Sequence, residues 1–214
     1  MSFASLFFEH DGLPCDRWHH YFEVYDRHLA RYRQRPVRML EIGVQRGGSL
    51  QLWRKYLGEQ AIIHGLDIDP ACAKLRELGL NVHIGDQGNA YTLRHIVEEM
   101  GGIDVVIDDG GHINPDQITA LKALYPLLSD DGVYICEDVH TSYWPTHGGG
   151  LEHPGSFIEY SKKLIDRLHA WYMKGHDQSF AASTRGVFFY DSMVVIEKCR
   201  RSPPRRSVVG AEHG

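Results

Sequence analysis

The feature that most constrains the fold is a regular alternation of short apolar runs with amphipathic stretches, which predicts strands alternating with helices. Five buried strands are predicted in this way, at 37–42, 62–67, 81–84, 104–108 and 132–137. Two more, at 186–190 and 193–197, are separated only by a short Asp191-Ser192 turn. Because parallel neighbours need a helical crossover whereas a hairpin needs only a turn, this order predicts an α/β, Rossmann-like fold. Its seven-stranded sheet is mostly parallel, ends in an antiparallel hairpin and carries helices on both faces.

The length of 214 residues fits one globular domain with flanking segments. We expect an N-terminal helical segment at 1–35, a ligand-binding domain at 36–199 and a disordered tail at 200–214. In the first segment, residues 16–33 place aromatic side chains at helical spacing, which predicts one amphipathic helix capped by Asp16.

Composition restricts the function classes. The net charge of −5 gives no reason to expect a nucleic acid as partner. Four widely spaced cysteines without a Cys-x-x-Cys pair predict reduced residues in a cytoplasmic protein. We see neither a signal-peptide pattern nor an apolar run that could span a bilayer. A helix predicted at 156–173 belongs to the core or to a subunit contact, so a homo-oligomer stays open.

A glycine-rich loop follows the first predicted strand. Its glycines, Gly43 and Gly47, would let the backbone approach a ligand closely, and Ser49 opens the next helix. The spacing is not the dinucleotide pattern Gly-x-Gly-x-x-Gly. Glu41 at the start of the loop suits a cationic ligand such as S-adenosylmethionine, whereas it would repel a pyrophosphate. The loop therefore predicts a nucleoside cofactor other than NAD.

Acidic residues also end the next strands. Asp67 is placed to accept hydrogen bonds from both ribose hydroxyls. Asp86 and Gln87 are placed at an adenine edge, and Asp108 is assigned to the same cofactor site. Each signal alone also has a structural explanation, since acids after strands often cap helices, but the ordered set favours S-adenosylmethionine.

Three carboxylates follow the fourth and fifth strands, namely Asp109, Glu137 and Asp138. Because neighbouring parallel strands end side by side, these groups can converge. With no Lys or Arg nearby in the local sequence, they would repel one another unless a cation lay between them. Oxygen ligands favour Mg²⁺, with Mn²⁺ or Ca²⁺ as substitutes. His112 lies at the rim of the cluster and could take the proton of an acceptor hydroxyl; the alternatives are helix-capping acids and a structural histidine.

Aromatic residues offer walls for an acceptor. Tyr143 and Trp144 lie in an irregular stretch at about 140–154, and Trp18 and Tyr21 lie in the N-terminal segment. Any of them could instead be buried in the core for its apolar area.

The strand-end residues resemble those of class I methyltransferases. The spacing of Asp109, His112, Glu137 and Asp138 is similar to that of the metal site in catechol O-methyltransferases, which carry lysine in place of the histidine.

A closer resemblance covers roughly residues 16 to 198. It is to the bacterial macrocin and mycinamicin sugar O-methyltransferases and to related cephalosporin-hydroxylase-like proteins. Their Asp-Asp-Gly-Ser-His motif corresponds here to Asp108-Asp109-Gly110-Gly111-His112, with glycine in place of serine.

The resemblance implies that 36–199 is an S-adenosylmethionine-binding methyltransferase domain of the class I fold. It implies methyl transfer to a sugar hydroxyl of a natural product or glycolipid, as in antibiotic biosynthesis. Mg²⁺ would be bound by Asp109, Glu137 and Asp138, with His112 as general base. Two other classes stay open: a metal-dependent hydrolase or hydroxylase on a related scaffold, and a non-catalytic nucleoside-binding protein.

Overall fold

The computed structural model describes residues 1–210 and contains one seven-stranded sheet. Its strands are β1 Arg38–Ile42, β2 Ile62–Asp67, β3 Asn81–Ile84, β4 Ile103–Asp108, β5 Leu128–Cys136, β6 Thr184–Tyr190 and β7 Met193–Lys198. The order across the sheet is β3-β2-β1-β4-β5-β7-β6. The first five strands are parallel, whereas β7 is antiparallel to both β5 and β6. The predicted fold, with its terminal hairpin, is therefore confirmed.

Helices cover both faces of this sheet. They are α1 Phe3–Phe8, α2 Phe22–Leu29, α3 Gly48–Leu57, α4 Ala90–Glu99, α5 Asn114–Leu124, α6 Phe157–Leu168 and α7 Ser179–Ser183. Short 3-10 turns fill several connections, and the link between β2 and β3 is a 3-10 helix, Pro70–Leu78. Of the predicted tail, residues 200–210 contain neither helix nor strand, and the remainder lies outside the described residues.

The predicted helix at 16–33 is wrong in its first part. Residues 16–18 are not helical, a 3-10 turn spans His19–Tyr21, and α2 begins only at Phe22. Asp16 therefore does not cap this helix. The physical reason is that the side chain of Arg17 reaches the acidic edge of the sheet, which keeps its backbone out of the helix.

The N-terminal helices complete the core on one face of the sheet. Phe3 of α1 packs its ring 4.7 Å from that of Tyr25 and 4.8 Å from that of Trp53, centroid to centroid. All three side chains are almost fully buried. On the other face, α4, α5 and α6 pack a second apolar cluster that includes Leu93 and Leu124. The N-terminal segment is thus part of the same folded body as the sheet.

Parallel strands bring their carboxyl ends to one edge, and this edge carries the residues singled out above. Asp109 follows β4, and Glu137 and Asp138 follow β5, which pairs with β4 directly.

None of the helices within residues 1–210 is both long and apolar enough to cross a bilayer.

The turn after β1 gives a test of the fold. Gly43 has φ +90°, and a Cβ there would lie 1.9 Å from the carbonyl oxygen of Asp109. We expect Gly43→Ala to lower the unfolding free energy by about 3 kcal/mol or more in urea unfolding. Gly79→Ala is the matched control, because Gly79 has φ +78° with no atom within 4 Å of the added Cβ. It should cost only about 1–2 kcal/mol of backbone strain, and equal losses would contradict the close approach at Gly43.

Candidate active site

Two cavities open at the carboxyl edge of the sheet. The nucleoside cavity, of about 260 Å³, is lined by Gly43, Asp67, Asp86, Gln87 and other residues that follow β1 to β4. The acidic cavity, of about 270 Å³, is lined by residues of the N-terminal segment and of the turns after β4 and β5. Its members are Asp16, Arg17, Trp18, Tyr21, Gln45, Asp109, His112, Glu137 and Asp138. Because Gln45 and Asp109 line both cavities, the two are neighbours with a common wall.

In the nucleoside cavity, Asp67 is held by backbone amides. Its Oδ2 accepts hydrogen bonds from the amides of Val44 and Gln45, each 2.8 Å long, and its Oδ1 accepts one from Asp69. Burial raises the pKa of Asp67, but these amides lower it further, so the net shift is below its ordinary value. An ionised carboxylate of fixed orientation therefore stands at the end of β2, where sequence analysis placed the ribose ligand.

Gln87 links two loops of this cavity. Its Oε1 accepts from the amide of Gly111 at 3.0 Å, and its Nε2 donates to Oδ1 of Asp108 at 3.0 Å. Asp86 accepts from the amide of Gly88 at 2.7 Å. The polar atoms of Gln87 thus shape the cavity wall.

Four predicted cofactor residues line neither cavity: Glu41, Gly47, Ser49 and Asp108. Glu41 is fully buried, and its carboxylate accepts from Ser49 Oγ at 2.6 Å and from Trp53 Nε1 at 3.0 Å. Gly47 has φ +84° and stands directly before α3. Asp108 is likewise buried and bonds Gln87 and the Tyr134 hydroxyl.

The acidic cavity brings together two of the three predicted metal ligands, Asp109 and Asp138, with the predicted base, whereas Glu137 lines the cavity outside this group. Donor atoms of Asp109, His112 and Asp138 all lie within 4.8 Å of one another. The Nε2 of His112 is 3.5 Å from Oδ2 of Asp138 and 3.9 Å from Oδ1 of Asp109. His112 and Asp138 have φ of +53° and +50°, a strained backbone of the kind that gathers at functional sites. The two carboxylates of this group suit a divalent cation bound by oxygen, and the imidazole of His112 lies beside them.

Glu137 lies deeper than the other two carboxylates. Its Oε1 accepts the hydroxyl proton of Tyr25 at 2.7 Å, and its Oε2 is 3.9 Å from Nε of Arg17. Burial raises the pKa of Glu137 to about 7, although Arg17 opposes the shift. Burial also raises the pKa of Asp109, and it lowers the pKa of His112, which favours a neutral imidazole.

Arg17 changes the charge balance of the acidic cavity. The sequence alone predicts that its carboxylates repel one another, because no basic residue lies near them in the local sequence. In the structure, the guanidinium of Arg17 donates to Oδ2 of Asp109 at 2.5 Å and also to Glu41. A protein cation therefore already offsets part of the charge. The available signal was a basic residue between Asp16 and Trp18, but its contact with Asp109 spans 92 positions.

Two tyrosines of the N-terminal segment donate hydrogen bonds to Asp138 and Glu137, the carboxylates after β5. The hydroxyl of Tyr21 donates to Oδ1 of Asp138 at 2.6 Å, and that of Tyr25 donates to Glu137 as described. Tyr21 lines the acidic cavity, yet it is 1% exposed. It therefore positions Asp138 more than it offers a surface for stacking.

The other predicted acceptor residues are exposed. Trp18 is 57% exposed and lines the acidic cavity. Tyr143 and Trp144, at 48% and 46%, do not line it. Trp144 instead packs against the rings of His140 and His147. Of the four aromatics, the structure brings Trp18 and Tyr21 to the acidic cavity.

Asp108 gives a pH test of the buried edge. It is fully buried, accepts from Gln87 and from the Tyr134 hydroxyl, and burial raises its pKa to about 7. Its unfolded pKa is about 4, so the wild type loses stability as pH rises from about 4 to about 7. Asp108→Asn removes this loss. The measurement is urea unfolding of both proteins between pH of about 4 and about 7. We expect the stability of the variant relative to the wild type to rise across this window, on the order of a few kcal/mol in total.

The matched control for that measurement is Asp104→Asn. Burial raises the pKa of Asp104, but hydrogen bonds from Arg38 lower it to below its ordinary value. Stability from Asp104 is therefore present above pH of about 4 and is lost only below it. The difference in unfolding free energy between Asp104→Asn and the wild type should not change between pH of about 4.5 and 8. If the difference for Asp108→Asn did not change either, the raised pKa of Asp108 would be contradicted.

Comparison with known proteins identifies relatives of this chain. No protein-family model matches the chain. It is 37% identical over 199 residues to the 8-demethyl-8-(2-methoxy-alpha-L-rhamnosyl)-tetracenomycin-C 3'-O-methyltransferase of Streptomyces olivaceus, covering 86% of this chain and 50% of that protein. It is 36% identical over 196 residues to the mycinamicin VI 2''-O-methyltransferase of Micromonospora griseorubida, covering 85% of this chain and 49% of that protein.

A solved methyltransferase structure is also similar to this chain. The MycE methyltransferase from the mycinamycin biosynthetic pathway, in complex with Mg, SAH and mycinamycin VI, matches with a TM-score of 0.83 and 32% identity. The match covers 94% of this chain and 54% of that one. The chain thus spans about half the length of the curated relatives it matches. The resemblance seen in the sequence is confirmed: the chain is a homologue of antibiotic sugar O-methyltransferases and has the class I methyltransferase fold.

Proposed function

We propose that this chain transfers a methyl group from S-adenosylmethionine to a hydroxyl of a sugar moiety, with the help of Mg²⁺. The observation that carries the proposal is the common wall of the two cavities at Gln45 and Asp109. A cofactor whose ribose binds Asp67 would have its other end at this wall. The acceptor hydroxyl would then enter from the acidic cavity, opposite the leaving sulfur, as an in-line displacement requires.

The nucleoside end would be held by residues that already have fixed orientations. Asp67 would accept the ribose hydroxyls, because three backbone amides orient its carboxylate. Gly43 would allow close approach of the loop, and Asp86 and Gln87 would border the base. Asp108 would contribute indirectly, by holding the side chain of Gln87.

Asp109, Glu137 and Asp138 would bind Mg²⁺, with Mn²⁺ or Ca²⁺ as substitutes. When bound, the ion would lower the pKa of the acceptor hydroxyl and orient it. The chain's own contribution is proton removal: the hydroxyl proton passes to Nε2 of His112 as the O–CH₃ bond forms and the S–CH₃ bond breaks. Asp138, 3.5 Å from that nitrogen, would stabilise the imidazolium that results.

The sugar class rests on the relatives, two of which are named for methylation of a rhamnosyl group or of mycinamicin VI. Trp18, exposed at the mouth of the acidic cavity, offers an apolar surface for the face of a sugar ring. We expect a small glycosidic acceptor and no nucleic acid, in line with the net charge of −5. Four free cysteines support a cytoplasmic location.

The base is tested by His112→Ala. With a 6-deoxyhexose glycoside as acceptor, turnover should fall by about 10²-fold or more, the usual contribution of a general base. Binding of S-adenosylhomocysteine should be unchanged, because His112 lies outside the nucleoside cavity. The measurement is formation of S-adenosylhomocysteine at saturating cofactor.

His153→Ala serves as the control, since this exposed histidine lies outside the acidic cavity. Its turnover should stay within about twofold of the wild type, as expected for a group without a role in the proton transfer. Removing Mg²⁺ with a chelator should abolish turnover in all three proteins. A His112→Ala enzyme with a near-normal rate would exclude this residue as the base.

A further inference from the structure

We propose that Arg17 binds the α-carboxylate of the cofactor's amino-acid portion, a role that rests on the proposed use of S-adenosylmethionine. The amino-acid end of that cofactor carries one ammonium and one carboxylate group. Whatever holds the carboxylate must supply positive charge or free N–H donors near the common wall of the two cavities.

Arg17 is well placed for this because the walls around it are acidic. Among the described residues that line the nucleoside and acidic cavities, it is the one Lys or Arg. The same walls contain seven carboxylates: Asp16, Asp67, Asp86, Asp109, Asp116, Glu137 and Asp138. Among the described side chains of these walls, Arg17 is the one whose permanent positive charge would attract a carboxylate ligand.

The usual alternative, the amino end of the helix after the glycine loop, is covered. α3 begins at Gly48, where a Cβ would lie 2.3 Å from the carbonyl oxygen of Leu13 and 2.4 Å from that of Pro14. Carbonyl oxygens at this point would repel a carboxylate and leave it no room. The segment that blocks the helix end is the one that carries Arg17 a few residues later.

The Arg17 guanidinium is fixed but not saturated. Its side chain is 9% exposed, and two of its nitrogens bind Asp109 and Glu41. Its Nε has no hydrogen-bond partner within the described part of the chain, since Oε2 of Glu137 lies 3.9 Å away, beyond hydrogen-bond distance. An unpaired buried N–H is costly, so it supports a ligand that supplies an acceptor.

This assignment also explains Glu41. Sequence analysis placed it in direct contact with the cationic groups of the cofactor, yet it is fully buried and lines neither cavity. Bonded to Arg17, Ser49 and Trp53, it would act as a positioning residue for the guanidinium.

The test compares two ligands that differ only in the amino-acid portion. S-adenosylhomocysteine and 5′-methylthioadenosine are titrated calorimetrically into wild type, Arg17→Gln and Arg46→Gln, at constant Mg²⁺. Arg46 is the matched control, because it lies exposed on the glycine loop near Arg17 without lining either main cavity. Arg17→Gln should weaken S-adenosylhomocysteine about 10- to 100-fold, the effect of losing a charged hydrogen bond.

Methylthioadenosine, which lacks the carboxylate, should weaken about tenfold less than S-adenosylhomocysteine in Arg17→Gln, because disturbance of the buried acids acts on both ligands alike, whereas the lost carboxylate contact acts on only one of them. Arg46→Gln should behave as wild type with both ligands. Arg17→Lys keeps the charge and should retain most of the preference for S-adenosylhomocysteine, which separates the role in binding from a role in folding.

Three results would overturn the proposal. Equal weakening of both ligands by Arg17→Gln would make the residue structural. Loss of the preference in Arg46→Gln instead would assign the carboxylate to the loop arginine. A wild type that binds neither ligand would overturn the proposed function itself, whereas the first two results would leave that function intact.

Discussion

The contact of Arg17 with Glu41 and Asp109 is the interaction on which the active edge of the sheet depends. Buried carboxylates at the ends of neighbouring strands are costly unless a cation or hydrogen-bond donors compensate them. Burial alone would lower the pKa of Arg17, yet Asp109 and Glu137 raise it well above its ordinary value. The guanidinium is therefore a permanent charge at the junction of β1, β4 and β5.

This requirement explains why the N-terminal segment is part of the core. Arg17, Tyr21 and Tyr25 each donate to a carboxylate of the edge. Packing of Phe3 and Tyr25 on Trp53 holds the segment against the sheet from behind. Donors fixed in this way keep the acids in one arrangement before any ligand binds, which is how a site of this kind can position reacting groups.

Much of the edge was predictable from sequence because its residues follow strands. Hydrophobic period and turn residues locate β2 and β3 at their observed bounds, and parallel pairing then brings Asp109 and Asp138 together. These are consequences of local pattern and sheet geometry.

What sequence could not predict depends on contacts between distant segments. Arg17 reaches an acid 92 positions away, and its extension toward that acid shortens the helix expected from residue 16. Tyr21 fits an aromatic wall by residue type, but its hydroxyl is bound to Asp138. Glu41 stands by sequence at a strand end, but its hydrogen bonds to Ser49 and Trp53 depend on how α3 packs, which sequence does not give.

The methyltransferase assignment depends first on whether the nucleoside cavity binds the cofactor through Asp67. S-adenosylmethionine and S-adenosylhomocysteine are titrated calorimetrically into wild type and Asp67→Ala, with and without Mg²⁺. We expect micromolar binding to the wild type and, for Asp67→Ala, weakening on the order of 10-fold or more from the lost charged hydrogen bonds. Absence of binding by either ligand, in every metal condition, would contradict the central claim that this edge of the sheet is a methyltransferase site.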